Sequence, residues 1–484
     1  MNNVIIEKRQ VYNYPKDVPF RPSIMYPEAS TNEISCQDNM VYDMVRECLH
    51  RAGYDKENFG TVQWNPLGHL IVPGDTVLLK PNLVMDINRS GEGEECLYTQ
   101  PAVVAAVLDY VYIALRGKGN IIVGDAPMQE CKFDKLIKDS GYDKLIEWCN
   151  EHYKGVSVRL VDFRGIHSTV IDGIHYYEEG EQSGIIVNLG EDSEFSGMDD
   201  YQENNIRITN YDPELLKKHH NKDKHEYFVS KYVLNADVII NMPKPKTHRK
   251  AGVTIAMKNL VGINTRKEYL PHHTNGSVVE GGDEYLNRSC IKKQRSKCLD
   301  HTNHEAQTKQ NIVLSKFWRF GVKVWSYASK IFAKDNYAEG SWYGNNTISR
   351  TILDLNKILF YADKNGNMKN SKQRKYLIVA DMIISGEKEG PVMPSPKNVG
   401  IIAMGENPIS FDRIIGTIMG AEIEKIPTLS QLKSSKHKYV IDYDENATIL
   451  SNEDKWNLKS QAMLQDSDLL HFIPTSGWKE VFKC

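Results

Sequence analysis

A dense group of lysine and amide side chains occupies residues 241–263, NMPKPKTHRKAGVTIAMKNLVGI, directly after an apolar run. A lysine ammonium attracts a carboxylate or phosphate as a point charge, and an asparagine amide both donates and accepts hydrogen bonds. His248 is a candidate for proton transfer near neutral pH, because the histidine pKa lies close to that range. The residues of this segment that we expect to contact an anion are Asn241, Lys244, Lys246, Thr247, Lys258 and Asn259.

Lys258 lies within a mostly apolar stretch, VTIAMKNLV, that is typical of a short helix. A lysine buried among apolar residues must find a partner or lower its pKa. Lys258 is therefore an anion-binding group, a Schiff-base nucleophile, or a side chain that extends to solvent. The sequence leaves these three alternatives open.

Polar residues also follow other apolar runs, and ligands of open parallel sheets bind beyond the carboxyl ends of the strands. Asp125 and Asp381 are candidates for a general base, for acceptors of sugar hydroxyls, or for ligands of a hard cation such as Mg²⁺. The alternative is a network of ion pairs that only stabilises the loops. The candidates outside residues 241–263 are Lys80, Asn82, Asp125, His272, Asp381, Glu387 and Gly390.

Six short runs rich in Val, Ile and Leu must position these residues. The predicted strands are 75–84, 119–127, 156–163, 235–244, 375–391 and 397–408. Helical patterns at 99–119, 133–152 and 409–422 alternate with them. Continuous apolar runs that alternate with helices predict an α/β fold: a mainly parallel sheet with flanking helices and a site formed by the strand-end loops.

Segments that break this pattern divide the chain. We predict an extended segment over 1–40, the first part of the α/β core over 41–273 with an acidic insertion at 176–206, and a second insertion over 274–345. The second part of the core follows over 346–425, and a C-terminal segment covers 426–484.

The insertion at 274–345 contains two patterns. Cys290, Cys298, His301 and His304 have the spacing C-x7-C-x2-H-x2-H, which suggests either a zinc site or a solvated loop. Residues 311–335 form an amphipathic helix with lysines on one face and aromatic residues largely opposite. Such a helix packs on a protein surface, its own or a second subunit in a homodimer, or lies on a membrane surface.

Composition and charge limit the class of protein, its location in the cell and its partners. The chain of 484 residues is 40% hydrophobic and 25% charged, with a formal net charge of −3. Residues 241–335 nevertheless hold 18 Lys and Arg against 7 Asp and Glu, which favours a local anionic partner. No CxxC, export signal or long apolar run occurs, so we expect no iron–sulfur cluster and a cytoplasmic protein, with a peripheral position on the inner membrane face as the alternative. Nucleic acid is not expected as a partner.

The motifs together resemble the family catalogued as domain of unknown function 362. The resemblance covers residues 70–273 and 350–420 and rests on KPNLV, GDAP, NMPKPKTH, VTIAMKNLVG and ADMIISGEKEGP, in that order. It implies no specific activity, and the ferredoxin-like cysteines or twin-arginine signals of many members are missing here. Its motif positions coincide with the candidate residues above and add Asp412.

These observations predict an enzyme that acts on a small carboxylate- or phosphate-bearing metabolite, as an isomerase or epimerase or as a Mg²⁺-assisted transferase. Asp125, His248, Lys258 and Asp381 are its predicted catalytic residues, and a divalent cation is its one candidate cofactor. The alternative is a non-catalytic protein that binds an anion or a membrane surface and serves a lipid-linked glycan pathway.

Overall fold

The computed structural model describes residues 3–434, 438–439 and 441–483. Part of the predicted C-terminal segment therefore lies outside the described residues. The strands are β1 Val4–Lys8, β2 Thr76–Pro81, β3 Gly119–Asp125, β4 Val156–Asp162, β5 Ile166–Ile171, β6 Ile174–Glu179, β7 Gly184–Asn188, β8 Ile206–Arg207, β9 His220–Asn221, β10 Lys224–Ser230, β11 Val238–Met242, β12 Lys246–His248, β13 Gly252–Thr254, β14 His273–Thr274, β15 Lys375–Glu389, β16 Met393–Gly405 and β17 Ile449–Ser451.

Helices separate most of these strands. They are α1 Met40–Arg51, α2 Pro101–Leu115, α3 Phe133–Ser140, α4 Tyr142–His152, α5 Asp200–Asn205, α6 Pro213–Lys217, α7 Lys231–Leu234, α8 Ala256–Asn259, α9 Cys290–Gln307, α10 Ile312–Phe332, α11 Thr347–Tyr361, α12 Pro408–Met419 and α13 Pro427–Ser430. Pro101 and Pro408 each begin a helix, where the missing amide hydrogen has no intrahelical partner to lose.

The main sheet has the order β17-β1-β16-β15-β11-β2-β3-β4, with the short hairpin β12–β13 attached to β15. Strands β15, β11, β2, β3 and β4 are parallel to one another. Alternate residues of these strands belong to two separate cores: Ile239 packs with α8, α11 and α12, whereas Val238 and Ile240 pack with α1, α2 and α4. The predicted α/β fold with a mainly parallel sheet is confirmed.

One strand of this path, β16, runs against its neighbours. The strand predicted at 397–408 is the second arm of a hairpin, because β16 folds back on β15 with Glu389 paired to Met393. The segment 1–40 supplies β1, which is antiparallel to β16 and parallel to β17. An apolar run indicates that a strand is buried on both faces, but it carries no information on the direction of the strand. Direction follows from the connection, since a short turn joins antiparallel strands and a longer crossover joins parallel ones.

The carboxyl ends of β2, β3 and β11 are level. Asn241 is in register with Lys80, and Leu79 is in register with Val123. Side chains at the ends of these three strands are therefore neighbours. This edge of the sheet carries the candidate site.

The insertion is a helical pair, with α9 packed along α10. Its cysteines and histidines separate: Cys290 is exposed, Cys298 is buried, His301 stacks on Trp318, and His304 Nδ1 lies 2.8 Å from Asp212 Oδ2. Across the described ranges, no group of three His, Cys, Asp or Glu residues could hold a metal ion. The four residues do not assemble a zinc site, because α9 is a continuous helix and its rise of about 1.5 Å per residue spreads them along the helix axis.

Candidate active site

A cavity of about 180 Å³ lies beyond the carboxyl ends of β2, β3 and β11. Strand-end residues form its floor, the hairpin β12–β13 and helix α8 form one wall, and the hairpin β5–β6 with residues 208–211 forms the other. The predicted residues that line it are Asn82, Asp125, Lys246, His248, Lys258, Asn259 and His272.

Lys80 and Asp125 form a buried ion pair at the floor. The distance from Lys80 Nζ to Asp125 Oδ1 is 2.6 Å, and the amides of Ala126 and Leu83 donate to the two carboxylate oxygens at 2.9 and 2.7 Å. Both oxygens of Asp125 are therefore occupied. This carboxylate holds Lys80 and shapes the floor, and it is poorly placed to act as a general base.

A chain of amides connects the floor to the wall. Asn82 Nδ2 donates to Asn259 Oδ1 at 3.0 Å, and Asn259 Nδ2 donates to Asn241 Oδ1 at 2.7 Å. Lys246 Nζ donates to Asn82 Oδ1 at 2.7 Å and to the carbonyl of Leu97. Burial lowers the pKa of Lys246 to about 7, since its hydrogen-bond partners are neutral.

Helix α8 presents Lys258 to the cavity, and Asp412 fixes that helix. The Asp412 carboxylate accepts the backbone N–H groups of Ala256 and Met257 at 2.8 and 3.0 Å. Asp412 belongs to α12 and caps α8. The family resemblance marks Asp412 as a motif position, and the structure shows that it acts at the start of α8. Burial raises the pKa of Asp412 to about 8, and the two N–H donors oppose that change.

Lys258 has neither an ion-pair partner nor a hydrogen bond among the described residues, yet it is partly buried. Burial, together with the positive charges of Lys267 and Lys80, lowers its pKa to about 7. Burial lowers the pKa of the neighbouring Lys267 to about 8. The cavity therefore presents positive charge that its own wall does not neutralise.

Two histidines of the cavity have opposite tautomers. His248 Nδ1 accepts the backbone N–H groups of Lys250 and Ala251, both at 3.1 Å, so the proton of the neutral ring is on Nε2. His272 Nδ1 lies 2.6 Å from the carbonyl oxygen of Leu270 and must donate to it, which leaves a lone pair on Nε2. Burial lowers the pKa of both rings well below the usual value, with Lys258 contributing at His248 and Lys250 at His272. His248 is thus a hydrogen-bond donor, and His272 is an acceptor.

The remaining predicted residues lie outside the cavity. Lys244 Nζ is 2.9 Å from Asp381 Oδ2, and Tyr14, from the N-terminal segment, donates to Asp381 Oδ1 at 2.6 Å. Both charged side chains are fully buried. The prediction that Asp381 is catalytic therefore has no support from its position, because a closed ion pair fills the space between β15 and the N-terminal segment.

Three further predicted contacts also point away. Thr247 follows the alternation of β12, so its side chain is on the opposite face from Lys246 and His248 and bonds the carbonyl of Lys388 at 2.8 Å. Glu387 Oε2 accepts the backbone N–H of Ile473 at 3.0 Å. Gly390 contributes its carbonyl to Arg249 N at 3.0 Å.

Several cavity residues were missed by the strand-end argument. Lys250 follows β12, and its ammonium bonds Thr209 Oγ1 at 2.7 Å; Lys267 bonds the carbonyl of Ala126 at 3.3 Å. Their basic surroundings in the sequence were a usable signal. No comparable sequence signal marks the hairpin residues His175 and Tyr177 or residues 208–211. They reach the cavity only through the packing of their segments in the folded chain.

Comparisons with known proteins agree with the motif string. The model of the family described as Domain of unknown function (DUF362) matches residues 77–191 and 180–416, which is more than half of the chain. The thylakoid-associated protein sll1697 of Synechocystis sp. is 28% identical over 197 residues, which are 40% of this chain and 41% of that protein. This chain thus matches less than half the length of that relative.

A likeness to one solved structure is weak. The lactate racemase apoprotein from Thermoanaerobacterium thermosaccharolyticum has a TM-score of 0.28 and 11% identity, over 81% of this chain and 58% of that chain. An overlap of this size carries no information on activity.

Proposed function

The chain belongs to the family described as Domain of unknown function (DUF362), and we propose that it is an enzyme that isomerises or epimerises a small carboxylate- or phosphate-bearing metabolite in the cavity at the sheet edge. The observation that carries this proposal is Lys258. Its ammonium has no ion-pair or hydrogen-bond partner among the described residues and a pKa of about 7, in a cavity of about 180 Å³.

The cavity separates binding from proton transfer. Lys267, with a pKa of about 8, remains charged at neutral pH and attracts the anionic group of the substrate, and His248 donates a hydrogen bond from Nε2. Lys258 is present in both protonation states near pH 7, so it can accept a proton from carbon and return it. His272 Nε2 is a second acceptor on the wall. Two acceptors and a fixed positive charge are the parts that removal of a proton next to a carboxylate requires.

The arrangement favours proton transfer over Mg²⁺-assisted transfer. Both oxygens of Asp125 already accept hydrogen bonds from backbone amides, and Lys80 is bonded to one of them. Asp381 lies outside the cavity in its own ion pair. The donor set that Mg²⁺ prefers, several free carboxylate oxygens at one point, is not assembled by the described residues.

Hydrogen exchange in D₂O tests the proposal. The full chain is incubated with a panel of 2-hydroxy acids, sugar acids and sugar phosphates, and loss of the carbon-bound proton signal is followed by NMR. We expect exchange for at least one compound, and a loss of about 10²-fold or more in the Lys258→Met variant. Lys135→Met, which removes an exposed lysine of α3, is the matched control and should leave the rate unchanged.

Anion binding, measured by calorimetry on the same samples, separates the outcomes. If Lys258→Met loses anion binding and no compound undergoes exchange, the protein is a non-catalytic anion-binding protein and the enzyme hypothesis is wrong. Unchanged binding and exchange in Lys258→Met would overturn the assignment of the site.

A further inference from the structure

Helix α10 exposes a continuous apolar stripe. Six apolar residues recur along it at alternating spacings of four and three, and each is between 46% and 82% exposed. They are Val313, Phe317, Phe320, Val324, Tyr327 and Ile331. An unpartnered stripe of this length is far larger than the scattered apolar residues of an ordinary surface.

The opposite face of α10 already has its partner. Val322 is buried against Cys298 and Leu299 of α9, with Trp318 and Trp325 packed at the edges of this small core. The helix is thus held in place by one face while the stripe remains in contact with solvent. The sequence pattern predicts an amphipathic helix here, and the structure adds that its aromatic residues divide between the two faces.

Positive charge borders the stripe. Residues 312–332 contain Lys316, Arg319, Lys323 and Lys330 and no acidic residue. Lys316 Nζ is 3.0 Å from Asp172 Oδ2 at the tip of the hairpin β5–β6, where Val170 and Ile171 are also exposed. The apolar surface therefore extends from α10 onto a second element.

A basic groove runs between this helix and the cavity. Arg249, Arg295, Arg319, Lys323 and Lys330 line it, and Thr209 and Asn210 line both the groove and the cavity. Arg295 Nη1 and Arg319 Nε are buried without a hydrogen-bond partner. Among the described residues that line the groove, the one carboxylate is Glu339, and it is bonded to Arg295 at 2.6 Å.

We propose that α10 lies flat on an anionic lipid bilayer, with its apolar stripe at the boundary of headgroups and acyl chains and a lipid phosphate in the basic groove. Aromatic and aliphatic residues on one side, flanked by lysines and arginines, are what an interfacial helix requires. Charge argues against an antiparallel second copy of the helix as the occupant, because the cations along one border of the stripe would then meet those of the other copy. This inference does not depend on the proposed reaction.

Vesicle co-sedimentation of the full chain tests it. We expect binding to vesicles of phosphatidylcholine with phosphatidylglycerol, and about tenfold weaker binding to phosphatidylcholine alone. The double variant Phe317→Ser/Phe320→Ser should bind the anionic vesicles about tenfold or more weakly. The control, Val62→Ser/Leu458→Ser, removes two apolar residues that are 69% and 65% exposed elsewhere and should bind like the wild type. Arg319→Gln/Lys323→Gln should also weaken binding.

Other outcomes overturn the proposal. Equal pelleting of the wild type and the Phe317/Phe320 variant would do so, as would a dimer, measured by light scattering, that this variant converts to a monomer without any vesicle binding. A further outcome is that the wild type binds no vesicles but binds inorganic phosphate, and that Arg319→Gln/Lys323→Gln loses this binding. The groove would then be a site for free phosphate. Hydrogen exchange in D₂O should be the same in the Phe317/Phe320 variant, so failure here and failure of the proposed reaction are distinguishable.

Discussion

Two groups of side chains at the same edge of the sheet contain lysines, buried in one group and partly buried in the other, and differ in what surrounds those lysines. In the first, Lys244 meets Asp381 at 2.9 Å and Tyr14 at 2.6 Å, and the Asp381 oxygens also accept the backbone N–H of Gln100. In the second, Lys258 faces the cavity without a partner among the described residues, next to Lys267. We call these the closed group and the open group.

Residue type alone does not decide the role of a lysine at this edge of the sheet. A buried charge with a well-placed counter-charge fixes the packing around it, because removal of either partner leaves the other uncompensated. A partly buried charge without an ion-pair partner is unfavourable for the protein alone and becomes favourable when an anion binds. The closed group thus stabilises the fold, and the open group lines the candidate site.

Removal of Lys244 should give the largest effect. Lys244→Met leaves the Asp381 carboxylate buried without its cation, and we expect the free energy of unfolding to fall by about 3–5 kcal/mol. Urea denaturation followed by circular dichroism measures it. Anion binding should persist in the folded fraction. A variant of wild-type stability that no longer binds anions would reverse the roles of the two groups.

A methyl group at Gly262 should disturb the floor between the groups. An added Cβ would lie 1.9 Å from Asp125 Oδ1 and 2.8 Å from Lys80 Nζ, so the ion pair must shift. Gly262→Ala should lower the free energy of unfolding by about 1–3 kcal/mol and weaken anion binding. In the control, Gly165→Ala, the nearest atom is the flexible Arg266 Cγ at 3.3 Å. Equal effects in both variants would show that the floor is not rigid.

The open group should give stability and affinity opposite pH dependences. Folded Lys258 loses its proton near pH 7, whereas the unfolded chain keeps it up to a pKa of about 10.5, so the unfolded state binds more protons in between. Stability therefore rises with pH above 7, with a contribution from Lys258 of at most about 1.4 kcal/mol per pH unit. Anion affinity falls over the same interval, because the cation is lost.

Comparison with Lys258→Met isolates this contribution. Between pH 7 and 9 the free energy of unfolding of the variant, measured by urea denaturation, should rise less steeply. Because the variant lacks the titrating ammonium, its anion affinity should not fall over this interval. Identical slopes in the two proteins would mean that Lys258 is fully hydrated and has an ordinary pKa.

The smallest effect is expected at Glu387, which lies outside both groups. Its carboxylate contacts Lys397 at 3.2 Å and the backbone of Ile473. Glu387→Gln should change the free energy of unfolding by about 1 kcal/mol or less and leave anion affinity, measured by calorimetry, unchanged. A clear loss of affinity would restore the substrate-binding role that the sequence pattern predicts.

Much of the framework could be predicted from local pattern. Apolar runs identify the strands β2, β3, β11 and β15, because burial on both faces requires continuous apolar side chains. The rule that ligands bind beyond strand ends selects Lys80, Asp125 and His248 from one chain of 484 residues, and Lys258 stands out as a lysine within an apolar stretch. The antiparallel direction of β16 could not be predicted in this way, since its apolar pattern is the same as that of a parallel strand.

The amino-acid sequence alone places the chemical groups at this edge of the sheet: lysines, amides and histidines where parallel strands end. Which of them are neutralised depends on three-dimensional packing. Tyr14 lies more than three hundred residues from Asp381 in the chain yet closes its ion pair, and two backbone amides select the tautomer of His248. These contacts depend on distances between segments remote in sequence, and a pKa depends on those distances and on burial, neither of which is a property of the residue alone.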